Sequence, residues 1–276
     1  MSYATKFKAM ILAAGRGERM RPLTDTLPKP LLRAGNKALI EYHLENLARA
    51  GFAEIVINHV HLGKMIETAL GNGKRYGVKI NYSPEAVALE TAGGIAQALP
   101  LLRNESGATP FVVVNADIYC EFDFATLLPV LEKMQASAES GLAHLIMVDN
   151  PAQHPDGDFM LDSGRLTLTG KSKLTFSGIG VYQAALFKDV VPGSVAKLAP
   201  LLDQAIAAGK VSGEHYQGVW VDVGTPERLR ALDTKLSTRN RNVFGSTGYK
   251  GATRSLKDME RAIRQEARKH KPKKNS

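Results

Sequence analysis

The sequence predicts an α/β fold, a Rossmann-like, doubly wound, mostly parallel mixed sheet. The short apolar runs Ala9–Leu12, which lacks polar alternation, and Phe111–Val114, and the segment Glu54–Val60, read as buried strands. Between them, Leu39–Ala50 repeats apolar residues at helical spacing (Leu39/Ile40, His43/Leu44, Leu47/Ala48) and stops at Gly51, and a second helix covers Leu62–Leu70. Strands alternating with helices are the pattern of a parallel sheet covered on both faces. The first strand also runs straight into Ala13-Ala14-Gly15-Arg16-Gly17. Small residues there let backbone lie close to a ligand, and exposed N–H groups in such a turn suit an anion.

Composition bounds the remainder. The chain has 276 residues and 44% apolar content, enough for one large α/β domain or two small ones. Cys120 is the only cysteine, so no intramolecular disulfide forms and a reducing cytoplasm is the natural compartment. Its thiol reads as a small buried hydrophobe. No apolar run approaches the ~20 residues of a membrane span. Lys6 and Lys8 ahead of Ala9–Ala14 imitate a secretory signal, but that core is short and an arginine-rich loop stands where cleavage would fall. The net charge of +9 is unevenly spread, because Leu236–Ser276 holds twelve Lys/Arg against three Asp/Glu, which is the entire excess. A nucleic-acid reading therefore rests on the tail alone.

After the glycine turn come Arg16, Arg19 and Arg21, then Lys29 between Pro28 and Pro30. Proline fixes φ and disfavours helix in the residue before it, so Lys29 is expected on a stiff, extended segment. Together these features describe a polyphosphate site. The turn is neither a Walker A loop, lacking G-K-[ST], nor a dinucleotide fingerprint, lacking the third glycine. The whole string L-A-A-G-x-G-x-R-M-x-P-L-T followed by P-K-P resembles the signature of the sugar-phosphate nucleotidylyltransferases, and the resemblance runs from Phe7 to about Lys235. It implies the nucleotidyltransferase type of sheet with a small β-rich sugar-binding lobe. Residues 1–236 would form that domain, a nucleotide half over about 1–120 and a sugar half over about 121–236.

Further along, His59 and His61 alternate on the second strand without cysteine or acidic partners at metal-ligand spacing. A third strand is expected over Val78–Ser83, then Ser83-Pro84-Glu85, Leu89-Glu90-Thr91-Ala92-Gly93-Gly94 and a helix to Leu102. By resemblance this loop caps the nucleobase, with Gly93 in the nucleotide set. Glu85 reads either as a solvated loop acid or as an acceptor for the ring N–H of uracil, thymine or guanine, a group adenine lacks on that edge. The family usually has glycine where this chain has Ala86. Asn115-Ala116-Asp117 ends the Phe111–Val114 strand, where open α/β sheets bind ligands. Asp117 reads either as a turn or cap residue before a Phe122–Leu131 helix or, by resemblance, as a magnesium ligand, with alanine where the family usually has glycine.

Leu142–Asp149 reads as a strand, Pro155–Phe159 with Leu166–Leu168 as a hairpin-like stretch, and Leu174–Tyr182 as a glycine-interrupted strand. By resemblance these floor the sugar pocket, with Asn115, Asp149, Gly157, Asp158, Ser177 and Gly178 as candidates and Lys197 as a second cation near the sugar phosphate. Val219–Val223 alternates as a strand and carries Asp222 among apolar neighbours, costly for a carboxylate unless paired or metal-bound. Thr225-Pro226-Glu227 opens a helix, threonine as cap and proline at its first position. W-x-D-x-G-T resembles the family's second metal aspartate. Asp117, Asp222 and substrate phosphates would then form a Mg²⁺ site.

From Ser237 the composition changes: Asn240–Ala252 reads as a linker and Ser255–Lys269 as one possible helix in a basic tail that suits an acidic partner. Hexapeptide repeats are absent. The strings Gly17–Thr24, Ile57-Asn58-His59, Ser83–Glu85, Leu89–Thr91, Val148–Pro151 and Lys210–Tyr216 narrow the resemblance to members that join UTP to N-acetylmuramic acid 1-phosphate in peptidoglycan recycling. The roles this implies are Leu12, Ala13, Ala14, Gly15, Gly17 and Glu85 on the nucleotide, Arg19 on the leaving phosphates and Lys29 on the phosphate under attack. The protein is expected as a monomer or weak dimer. The alternatives are transfer from another nucleotide to glucose or mannose 1-phosphate, or a nucleotide-sugar-binding regulator without turnover.

Overall fold

The computed structural model describes residues 5–104, 109–137 and 141–245, with side chains to 239. By contact the chain divides into residues 1–236 and 237–276. In the first unit, strand β1 (Ala9–Leu12) lies between β4 (Glu54–His59) and β6 (Phe111–Asn115), parallel to both. Beyond β4, β5 (Lys79–Pro84) completes a four-strand parallel half. Beyond β6 the sheet turns mixed. β11 (Lys173–Tyr182) runs antiparallel to β6 and to β8 (Ala143–Val148), and β12 (Val211–His215) runs parallel to β8. The hairpin β9 (Phe159–Asp162) and β10 (Arg165–Thr167) closes that edge, so nine strands run in the order β5-β4-β1-β6-β11-β8-β12-β10-β9.

Helices cover both faces because the central strands are apolar on both. Along β1, Ala9 and Ile11 pack with Ile40 and Leu44 of α1 (Leu39–Arg49) and with α2 (Gly63–Leu70), whereas Met10 packs with Ile95 of α3 (Glu90–Leu102) and Leu202 of α5 (Leu198–Ala207). A third cluster joins Met20, Leu32 and Tyr119 to Val223 and to Leu229, Leu232 and Leu236 of α6 (Pro226–Gly245). It fastens the loop after β1, together with the short antiparallel strands β2 (Arg33–Ala34) and β3 (Lys37–Ala38), to the start of α6. Cys120 is buried, and burial pushes its thiol up to about 11. Among the described residues no helix is long and apolar enough to cross a membrane.

Three local expectations are corrected. The Phe122–Leu131 segment is a 3-10 turn over Phe124–Leu127 followed by α4 (Leu128–Ala136), because Pro129 suits the first turn of a helix. Ahead of it, Ile118–Cys120 is strand β7, paired antiparallel with β13 (Trp220–Asp222), a partner a hundred residues downstream that local pattern does not reveal. Helix α6 continues to Gly245, into the first residues of the expected linker. The expected helix over 255–269 lies outside the described residues.

Candidate active site

Where β1 ends, the backbone stops pairing. Ala13 still donates its N–H to Asn58 Oδ1 at 2.9 Å, but the N–H groups of Ala14, Gly15, Arg16 and Gly17 bond to no described residue. Four free donors in a tight turn form an anion cradle. Gly17 sits at φ 67°, and a Cβ there would meet Thr24 at 3.0 Å and Lys29 at 3.2 Å. Glycine therefore meets both a backbone and a packing demand. Thr24 Oγ1 donates to Gly17 O at 2.8 Å and ties the far side of the loop down.

Lys29 is not extended, as its prolines suggested. Lys29–Leu31 forms a 3-10 turn, with Leu31 N–H on Pro28 O and Leu32 N–H on Lys29 O. Pro28 is the extended residue, and Pro30 falls in the first turn, where its missing N–H costs nothing. The turn buries the lysine stem and points Nζ at Asp117 Oδ2, 2.7 Å away.

Asn58, Glu85 and Leu89 close the opposite end. Asn58 Nδ2 donates to Glu85 Oε1 at 2.6 Å and Leu89 N–H to Oε2 at 3.1 Å. Burial raises the Glu85 carboxyl above its ordinary range, and those two donors oppose the shift. The carboxylate thus lines the cavity but already holds two protein partners. Asn58 was not a candidate from sequence; its signal was a buried amide directly after the apolar stretch Ile55–Ile57. The cavity between these ends measures about 520 Å³ and is lined by the turn, Arg16, Arg19, Lys29, Glu85 and Asp117. Of the nucleotide candidates, Gly93 alone lies off it. Its N–H donates to Ala196 O at 3.1 Å, and a Cβ there would lie 2.3 Å from Ser194 O.

The β7–β13 ladder brings the two aspartates to neighbouring register positions, pairing Ile118 with Asp222 while Val223 N–H donates to Asp117 O at 3.0 Å; Asp117 lines the cavity and Asp222 does not. Each carries a cation: Lys29 on Asp117, Arg228 on Asp222. Arg228 is a further residue that local reading missed. Gly224 lies at the convergence, since a Cβ there would stand 3.0 Å from Asp222 Oδ1, 3.1 Å from Arg228 and 3.2 Å from Arg19. Among the described residues no group of three or more His, Cys, Asp or Glu could hold a metal. Two carboxylates completed by substrate phosphates nevertheless fit the few-ligand habit of Mg²⁺. His59 instead pairs with Glu67, Nε2 to Oε1 at 2.9 Å.

A second cavity of about 430 Å³ shares Leu12, Glu90, Thr91 and Asn115 with the first and is otherwise walled mainly by apolar side chains. Of the sugar candidates, Asn115, Asp158, Gly178 and Lys197 line it. Asp149, Gly157 and Ser177 do not. Asp149 is exposed and accepts from His215 Nε2 at 2.9 Å. Ser177 is buried, its Oγ accepting from Ile179 N–H at 3.1 Å, and Gly157 packs against Asn150 and Lys173.

A family model for nucleotidyl transferases matches residues 8–156, just over half the chain. The chain belongs to the nucleotidyl transferase family. It is 54% identical over 227 residues to an N-acetylmuramate alpha-1-phosphate uridylyltransferase of Neisseria meningitidis serogroup B, spanning 81% of this chain and 95% of the relative. It is also 30% identical to the catalytic subunit beta of a mannose-1-phosphate guanylyltransferase of Danio rerio, over 80% of this chain and 62% of that protein. Its fold matches a Bacillus anthracis protein described as a glucose-1-phosphate thymidylyltransferase (TM-score 0.71, 21% identity, 84% of this chain and 95% of that one). The glycine turn after β1 and Asp117 after β6 lie at the C-terminal ends of parallel strands, where open α/β sheets place their ligands.

Proposed function

We propose that this protein joins UTP to N-acetylmuramic acid 1-phosphate, giving UDP-N-acetylmuramic acid and pyrophosphate, as a cytoplasmic step of peptidoglycan recycling. The observation that carries the reading is the 54% identity across 95% of a relative bearing that activity's name. The geometry suits it, with a phosphate-cradling cavity joined through Leu12, Glu90, Thr91 and Asn115 to a second cavity of sugar size.

An oxygen of the sugar phosphate attacks the α-phosphorus in line; that P–O bond forms as the bond to the β-phosphate breaks, and pyrophosphate leaves. Such transfers rest on positioning and charge neutralisation. The Ala14–Gly17 donors and Arg19 bind the β- and γ-phosphates and stabilise the leaving group. Lys29, released from Asp117, turns to the phosphate under attack. Asp117 and Asp222 would hold Mg²⁺, whose chemistry is to neutralise phosphate charge. Glu85, kept in place by Asn58 and Leu89, accepts the uracil N3–H. Residues 1–120 mainly serve the nucleotide and 121–236 the sugar, with Leu12, Glu90, Thr91, Val113 and Asn115 of the first half also lining the second cavity.

The test is pyrophosphate release from UTP with Mg²⁺ and N-acetylmuramic acid 1-phosphate, beside N-acetylglucosamine, glucose and mannose 1-phosphates. Preference for the muramic compound is the expected result. Preference for another sugar overturns the assigned substrate. No release with any sugar, from folded protein that binds UTP, overturns the enzymatic reading.

A further inference from the structure

Among the residues lining the second cavity, Lys197 is the only cation, and it stands where helix physics disfavours one. It is the N-cap of α5, which has no side-chain cap. Ser, Thr, Asp or Asn would satisfy a free N–H there, and a positive charge opposes the helix dipole. A residue that breaks local rules beside a binding cavity marks a functional demand.

Its place is held from both sides. Ala196 donates its N–H to Leu89 O at 3.0 Å, and Ala196 O accepts from Ala92 at 2.9 Å and from Gly93 at 3.1 Å. On the other side Leu198 is buried. The Lys197 side chain makes no hydrogen bond or ion pair with any described residue. Asp158 across the cavity is committed, Oδ1 to His154 Nε2 at 3.0 Å and Oδ2 to Phe176 N–H at 2.8 Å. Glu90 lines the boundary with the first cavity and forms no pair with Lys197.

We infer that Lys197 recognises the lactyl carboxylate of the muramic acid ring, and not the sugar phosphate. The inference rests on the substrate proposed above. Arg16, Arg19 and Lys29 in the first cavity already supply the phosphates with cations. The second cavity offers an apolar wall of Phe159, Phe176, Leu198 and Leu202 with one positive charge. A sugar bearing methyl groups and one extra carboxylate complements that surface. A carboxylate in a partly apolar pocket requires an opposite charge.

N-acetylglucosamine 1-phosphate lacks only the lactyl ether, so the ratio of kcat/KM for the two sugars isolates this contact. If it is not turned over, its inhibition constant against the muramic substrate replaces its kcat/KM. Lys197→Met is expected to lower the ratio by ~10- to 100-fold, mainly through KM, the range for leaving one bound polar group unpaired. Lys197→Arg restores most of it. Lys197→Ser lowers the ratio equally while raising Tm, because a proper cap replaces a poor one. A constant ratio in Lys197→Met, whether both sugars weaken together or neither does, overturns the inference and leaves the enzyme assignment standing. Wild-type protein that ignores the muramic sugar overturns both.

Discussion

Lys29 and Asp117, 88 residues apart in sequence, form a 2.7 Å ion pair in which the lysine side chain is 7% exposed and the aspartate 40%. The lysine depends on the aspartate far more than the reverse. A buried ammonium needs a partner, whereas a carboxylate open to water does not. Asp117 thus holds the ammonium ready in the phosphate cavity.

This asymmetry makes the two truncations differ in stability while agreeing in activity. Lys29→Met and Asp117→Ala are each expected to lower kcat by ~10²- to 10³-fold. Asp117→Ala should cost about 2 kcal/mol of stability by stranding Lys29, and Lys29→Met under about 1 kcal/mol. Urea unfolding beside steady-state kinetics measures both. Near-normal turnover in either variant refutes the role, and equal stability losses refute the asymmetry.

Gly224→Ala tests the convergence of Arg19, Asp222 and Arg228. The added methyl would press on Asp222 Oδ1, Arg228 and Arg19 at 3.0–3.2 Å, tighter than ordinary contact. The ends of long side chains give way easily, so the fold is expected to survive with Tm within a few degrees. Displaced by a fraction of an ångström, the same groups should lose ~10- to 100-fold in kcat. Unaltered kinetics would place Asp222 and Arg19 outside the reacting centre.

His43 gives stability a pH dependence. Its Nε2–H donates to Ile118 O at 2.8 Å, Nδ1 has no partner among the described residues, and burial holds its pKa down to about 4 against 6.5 in an unfolded chain. On acidification the unfolded state takes the proton first. Stability present above pH 6.5 is therefore lost as pH falls towards 4, by on the order of 3 kcal/mol. Burial shifts His144 the same way, also to about 4. The raised carboxyls of Glu85 and Glu214 act oppositely, losing stability as pH rises above 4.5. The informative measurement is therefore the difference between wild type and His43→Gln. Its urea-derived stability should depend less on pH across 4–6.5; parallel curves would contradict the assignment.

What the chain declares by itself is whatever depends on neighbours within one element. The apolar runs of β1, β4 and β6, the 3.6-residue spacing of α1 and the Thr225-Pro226 opening of α6 are local facts, and each appears where pattern places it. The glycine turn was equally legible, because its small residues and clustered arginines are contiguous. What only the tertiary structure decided is partnership at a distance. Nothing near Ile118 announces that it pairs with Asp222, and nothing near Asp222 announces the hold of Arg228 beyond its spacing. Flanking prolines suggested an extended Lys29; burial of its stem against Gly17 and the pull of Asp117 made it a 3-10 turn. The same limit explains the divided fate of the sugar candidates. Asn115, Asp158, Gly178 and Lys197 reach one cavity while Asp149, Gly157 and Ser177 face elsewhere. Strand alternation states which residues share a face, but the neighbouring strand and the bulge in β11 after Phe176 determine what that face meets.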